Sequence, residues 1–223
     1  MLYFMRKHAK FFYVFFFLVI ISFIFFYVGP IDKNQNPVVV EIGKKDKVHI
    51  NEYWRVYDNL REFYKDIYKD QFNDELEKKL NLKEKALETV LEEHLLYIRA
   101  REIGLTVTDR ELQEAIMHEP AFQRNGRFNR DIYIRTLQLN RLTPAYYESM
   151  KRKELIVKKL RALIEEPVTI SEEELGDFKG QNEDLKKALK NALLRDKKNR
   201  ILKSYIESLK KEYGVVLHRD LIG

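Results

Sequence analysis

The chain has 223 residues, with 41 Lys+Arg against 35 Asp+Glu and no cysteine, which excludes disulfides, thiolate metal sites and cysteine nucleophiles. The formal charge of +6 does not point to nucleic acid. Arg6, Lys7 and Lys10 precede a hydrophobic run, leaving 38 of the 41 basic residues against all 35 acidic ones in the remainder, a near balance.

Taken in chain order, Phe11 to Val28 reads FFYVFFFLVIISFIFFYV, without a charge, Pro or Gly. As a helix it would span about 27 Å at ~1.5 Å per residue, close to the ~30 Å hydrocarbon core of a bilayer. The segment 11–28 is therefore expected to cross a membrane once. A cleaved signal peptide would show a shorter apolar core followed by small residues in an A-x-A-like site. Gly29-Pro30-Ile31-Asp32 follows instead, so an uncleaved anchor is expected. The positive-inside bias keeps residues 1–10 in the cytoplasm. Residues 29–37 then form a linker, and 38–223 lie on the far side, which in a bacterium is the periplasm.

Val38 to Ile42 is a β-branched run ended by Gly43 and predicts a short strand. From Asn51, taken as an N-cap, apolar residues recur at helical spacing to Leu80 and predict one long helix. A second helix is expected over about Lys83 to Ile103, stopped by Gly104. Thr108 and Glu111 form a capping box that opens a third, reaching about His118. Pro120 breaks it, and Asn125-Gly126 is a turn signal. A fourth helix follows from Arg130 to Leu139. Thr143-Pro144 starts a fifth, which runs to just before Pro167. Ser171 and Glu174 make another capping box. The last helix runs from Glu183 to Tyr213, and Gly214 leads into a strand over Val215 to His218. The two terminal strands lack a local partner, so each is expected to pair with the other, with residues 183–218 returning onto the rest.

No H-E-x-x-H, G-x-S-x-G, Walker-type or G-x-G-x-x-G motif occurs, and the eight glycines fall singly. The five histidines, His8, His49, His94, His118 and His218, never stand at i, i+4 spacing, so no metal site is expected. Glu92-Glu93, Glu165-Glu166 and Glu172-Glu173-Glu174 read as solvated helix faces and caps. Neither catalytic residues nor a cofactor are expected.

The segment from Met117 to Asn129 brackets a polar turn with Phe122 and Phe128. Here the sequence resembles the N-terminal chaperone domain of the SurA/PpiD-type periplasmic folding factors. The resemblance rests on Pro120-Ala121-Phe122-Gln123, Asn125-Gly126-Arg127-Phe128-Asn129, Tyr133, and Leu142-Thr143-Pro144-Ala145-Tyr146-Tyr147. It continues upstream in Ala100-Arg101-Glu102-Ile103-Gly104-Leu105-Thr106-Val107-Thr108-Asp109-Arg110-Glu111-Leu112. The basic residues before an anchor are similar to the PpiD branch. The implied fold is mostly α: a transmembrane helix, then a helical domain closed by a small two-stranded sheet from its two ends.

The resemblance implies a chaperone that binds unfolded or newly translocated polypeptides beside the membrane, with the secretion machinery as a further partner and no nucleic acid. Met117, Phe122, Phe128, Tyr133, Leu137 and Tyr146 are the candidate groove residues. The same side chains could equally pack as core, and the sequence leaves both readings open. Family members often carry a parvulin prolyl-isomerase module before the last helix. Only about a dozen residues separate Ser171 from that helix here, against the roughly 50 an independent domain needs. Prolyl isomerisation thus ranks third, behind the chaperone and behind a scaffold for one envelope or secretion complex.

Overall fold

The computed structural model describes residues 36–171, 173–174 and 183–222. The expected membrane segment, 11–28, lies outside them. Among the described residues no helix is long and apolar enough to cross a membrane. Residues 38–223 form one compact unit, separate from 1–37.

The unit opens with a hairpin. β1 (Val38–Ile42) pairs antiparallel with β2 (Asp46–His49) across a turn at Gly43-Lys44-Lys45. Gly43 takes a φ of +61°, and a Cβ there would stand 3.3 Å from the Tyr213 carbonyl oxygen, so the turn needs glycine. The other side of β1 pairs with β5 (Val215–Leu217), with Val40 opposite Leu217, Glu41 opposite Val216 and Ile42 opposite Val215. The two ends of the unit therefore meet, as the lone apolar strands led us to expect. The sheet, however, has three strands in the order β2-β1-β5, not two. The third was hidden because β2 reads Asp-Lys-Val-His, with Val48 alone fully buried.

The long helix expected from Asn51 to Leu80 is two helices. α1 (Ile50–Tyr68) has His49 at its N-cap position, without a side-chain cap bond. It ends where Lys69 turns to φ 46°. A single 3-10 turn (Lys69–Gln71) leads to α2 (Asp74–Leu80), whose cap is Asn73, its Oδ1 accepting from Leu76 N–H at 2.9 Å. Apolar periodicity ran through this break, which is why it was not legible. Glu77 of α2 holds the two helices together, taking the Tyr57 hydroxyl and, at 3.1 Å, Arg61 Nε.

α3 (Leu82–Glu102) is the axis of the domain. Leu82, Ala86, Leu87, Val90, Leu91, Leu95, Leu96 and Ala100 are all buried along it. A helix covered on several sides loses the one-sided apolar stripe of a surface helix. Its covers are α1, β2, α6 (Pro144–Glu165) and α7 (Glu183–Tyr213).

Between α3 and α6 lie α4 (Asp109–Met117), a 3-10 turn (Pro120–Phe122), the hairpin β3 (Gln123–Arg124) and β4 (Arg127–Phe128), and α5 (Arg130–Leu139). Local signals set each boundary. Thr108 and Glu111 form the expected capping box. Asn125 and Gly126 take φ values of 54° and 74°, the paired left-handed geometry of a two-residue hairpin turn. Asn129 and Thr143 cap α5 and α6 through bonds to Ile132 and Tyr146 N–H. Ser171 and Glu174 also exchange the two bonds of a capping box. Ile222, just past β5, packs back into the core.

Candidate functional site

The segment that carries the sequence resemblance folds into a compact aromatic knot. Phe122 meets Tyr133 edge-on at 4.9 Å between ring centroids and Tyr147 at 5.3 Å, while Phe128 lies 5.9 Å from Tyr133. The backbone fixes this, since Asn129 N–H donates to the Phe122 carbonyl at 2.8 Å. Burial pushes the Tyr133 phenol up to about 12. Lys151 of α6 ties the knot down by donating to Glu119 at 2.9 Å and Glu154 at 3.0 Å.

The six candidate groove residues divide accordingly. Phe122, Tyr133 and Leu137 are core, at 3%, 7% and 2% exposure, and Phe128 is half-buried against them. Met117 and Tyr146 stand in solvent, at 50% and 49%. The structure therefore brings four of them together as packing and leaves two on the surface.

Tyr146 lies on a feature the periodicity did not reveal. Arg55 of α1 reaches across to α6, its Nη1 donating to the Tyr146 hydroxyl at 3.0 Å and to Met150 Sδ at 3.2 Å. Next to it Trp54, the chain's single tryptophan, is 37% exposed and sets its ring edge-on to Tyr53 and Tyr57. Behind this bridge His94 of α3 bonds Glu52 of α1 at 3.1 Å. That bond is the main reason the Glu52 carboxyl is held below its usual value, with the nearby Lys153 acting the same way. Lys153 also sits 5.4 Å over the Tyr97 ring. Aromatic and thioether side chains interleaved with single cations make an adaptable surface suited to apolar chain segments. A lone Trp standing off the Tyr53/Tyr57 stripe was the signal available in the sequence.

A concavity of about 270 Å³ lies between α3, the end of α7 and β5, over Leu87, Leu91, Val215 and Leu217.

Other chemistry has little foothold. Burial raises the Glu92 and Glu93 carboxyls, and Arg161 is the strongest opposing charge on each. His94, whose ring bonds Glu52, also pulls the Glu93 carboxyl down, and no cluster of three metal-ligating side chains occurs among the described residues.

A family model described as the SurA-like N-terminal domain matches residues 1–161, nearly three quarters of the 223-residue chain. The chain belongs to this family. The match takes in the aromatic knot, α3 and most of α6. Among curated proteins, the periplasmic chaperone PpiD of Haemophilus influenzae is similar, 31% identical over 78 residues. That stretch is 35% of this chain but 12% of the relative, so the chain spans only a small part of the relative's length. Both comparisons agree with the SurA/PpiD-type resemblance read from the motifs.

Proposed function

We propose that this protein is a membrane-anchored chaperone of the periplasmic side, holding unfolded or newly translocated polypeptides without performing a reaction on them. Membership of a SurA-like family and the similarity to a periplasmic chaperone support this role in general terms. The observation that carries it further is the division of the aromatics. The motif residues Phe122, Phe128 and Tyr133 are spent on packing, while Tyr146 of the same motif, Met117 and, in part, Trp54 remain in solvent on the helical frame. Exposed apolar side chains next to single cations are what a binder of many sequences needs.

The test uses residues 36–223, the compact unit with its short lead. This fragment is expected to slow aggregation of a chemically denatured test protein. Prolyl isomerisation of a short peptide should stay at the uncatalysed pace of tens to hundreds of seconds. Replacing Trp54→Ser and Tyr146→Ser together should weaken the protection several-fold at a temperature well below the variant's own thermal midpoint, which falls because Trp54 packs on Tyr53 and Tyr57 and the Tyr146 hydroxyl accepts from Arg55. Protection that survives this double change places client binding elsewhere; accelerated isomerisation overturns the non-enzymatic reading.

The anchor and its orientation form a separate part of the proposal, supported by Arg6, Lys7 and Lys10 before the apolar run 11–28. A reporter fused after residue 223 should be active only in its exported form. Activity of a cytoplasm-only reporter would reverse the orientation.

A further inference from the structure

The two edges of the three-stranded sheet are built differently. The β2 edge carries Asp46 and Lys47, both exposed, and charged residues of this kind discourage a further strand from adding. β5 is Val215-Val216-Leu217, with neither charge nor proline, and Val216 is 53% exposed. Natural sheets rarely leave an apolar edge unguarded unless something pairs with it.

The hydrogen-bond pattern shows which backbone groups this edge offers. Gly43 N–H donates to the Gly214 carbonyl at 3.1 Å, and His218 N–H donates to the Val39 carbonyl at 2.9 Å. Bonded and non-bonded pairs alternate along an antiparallel ladder. With Glu41 opposite Val216, residues 216 and 218 and the Gly214 carbonyl thus turn toward β1, while the Gly214 N–H donates to the Lys210 carbonyl. Val215 and Leu217 turn theirs the other way, where no strand stands among the described residues. Their side chains share one face of the sheet and line the concavity over Leu87 and Leu91 of α3. Outward amides and carbonyls therefore run alongside an apolar trough.

We propose that the outer edge of β5 is a strand-docking site, where an extended segment of unfolded polypeptide adds as a fourth strand and sets alternate side chains into the trough. Only an extended backbone presents donors and acceptors at the spacing of Val215 and Leu217. The rim selects against strong charge of either sign. Arg219 is engaged by Glu84 at 2.6 Å and Lys210 by Glu207 at 2.8 Å, while Glu88 and Lys211 supply opposite signs at the trough. The fitting segment is uncharged and apolar at every second position. With two outward-facing residues the site holds such a segment weakly and releases it quickly. The occupant's identity as a client rests on the chaperone reading; the edge itself does not.

The experiment is residue-resolved amide exchange on the full chain kept soluble in detergent, with a capped peptide of alternating valine and threonine, lysine at each end, as probe. At about ten times its Kd the peptide leaves about a tenth of the sites free, so exchange at Val215 and Leu217 should slow about tenfold. Val216 and His218, already bonded to β1, should change little. A peptide N-methylated on the amides that face the edge should give no such slowing. The variant Leu217→Pro removes an outward amide while sparing the bonds to β1, and the slowing at the remaining Val215 amide should be lost with it. Slowing confined to the region of Trp54 and Tyr146, or none anywhere, overturns the docking site while leaving the chaperone reading in place. Slowing at Val215 and Leu217 in a chain that fails to delay aggregation would instead keep the site and sink the chaperone reading.

Discussion

Glu111 shows how much one exposed carboxylate can coordinate. Its Oε2 accepts from Thr108 N–H at 2.8 Å and from Thr108 Oγ1 at 3.0 Å, closing the cap of α4. Its Oε1 lies 2.6 Å from Lys159 of α6, whose ammonium also donates to the Thr106 carbonyl at 2.8 Å. Lys159 above all, then the bonds from Thr108, pull the carboxyl down to about 2. A carboxyl depressed by the fold stabilises it above the ordinary value of 4.5 and loses that contribution as pH falls toward 2. Glu92 and Glu93 act in the opposite sense. Burial raises them, so their contribution is present at low pH and is lost as pH rises through the folded value. Stability of the wild type across the acid range is therefore a difference of opposing slopes, and Glu111→Gln should isolate one of them. The variant is expected to melt below the wild type at neutral pH, with the two curves converging as pH drops from 4.5 toward 2. Thermal midpoints measured across that range check this; a constant gap between the curves would mean that the carboxylate's charge contributes nothing.

At the scale of elements, what was legible depended on whether a signal was local. Thr108, Thr143 and Gly104 name their helix ends because a cap is made by the residue itself with amides or carbonyls one turn away. α5 begins and ends, and α7 ends, where the sequence places them. β2 was hidden because an edge strand with one solvent-facing side and charged residues has the composition of a loop, and only pairing with β1 makes it a strand. The α1/α2 break was hidden because apolar spacing carried on through Lys69, a residue with no special preference for positive φ. The candidate groove was hard to read for a different reason. Phe122, Tyr133 and Leu137 pack inward, whereas Met117 and Tyr146 do not, yet all are apolar or aromatic residues in or beside helices of similar pattern. What separates them is which neighbouring helix arrives above each, and that is decided by residues far away in the chain. Family membership does not separate them either, since a shared motif is retained for packing as readily as for binding.

For the whole molecule, the decisive contact is the one between its ends. Among the described residues β1 and β5 flank every α-helix in the chain order, so their pairing closes the domain around α3. The closing strand brings more than backbone bonds. Val215 and Leu217 cover the core cluster, Ile222 is 6% exposed beyond them, and Arg219 engages Glu84 at the start of α3. Tyr213, at the end of α7, donates to Glu102 at 2.5 Å and stacks near Arg99, anchoring the other end of α3. Deleting residues 214–223 removes no α-helix, only the 3-10 turn Arg219–Leu221, yet it uncovers Val40 and Ile42 on the sheet and takes Ile222 out of the core. Fully burying one such side chain is worth about 1.5–3 kcal/mol. Losing several partly buried ones costs several kcal/mol, a large share of the ~5–15 kcal/mol that holds a domain together. At about 2–4 °C per kcal/mol for a domain of this size, the midpoint of the fragment should fall by roughly 10 °C or more. The loss of the ion pair at Arg219 adds little, because that guanidinium is exposed and screened, so Arg219→Ala alone should leave the midpoint nearly unchanged. Thermal unfolding of the fragment ending at Tyr213, set beside the intact one and the Arg219→Ala variant, separates these terms. An unchanged midpoint on truncation would mean that the domain is held by its helices alone and that the strand pairing of its ends is an ornament.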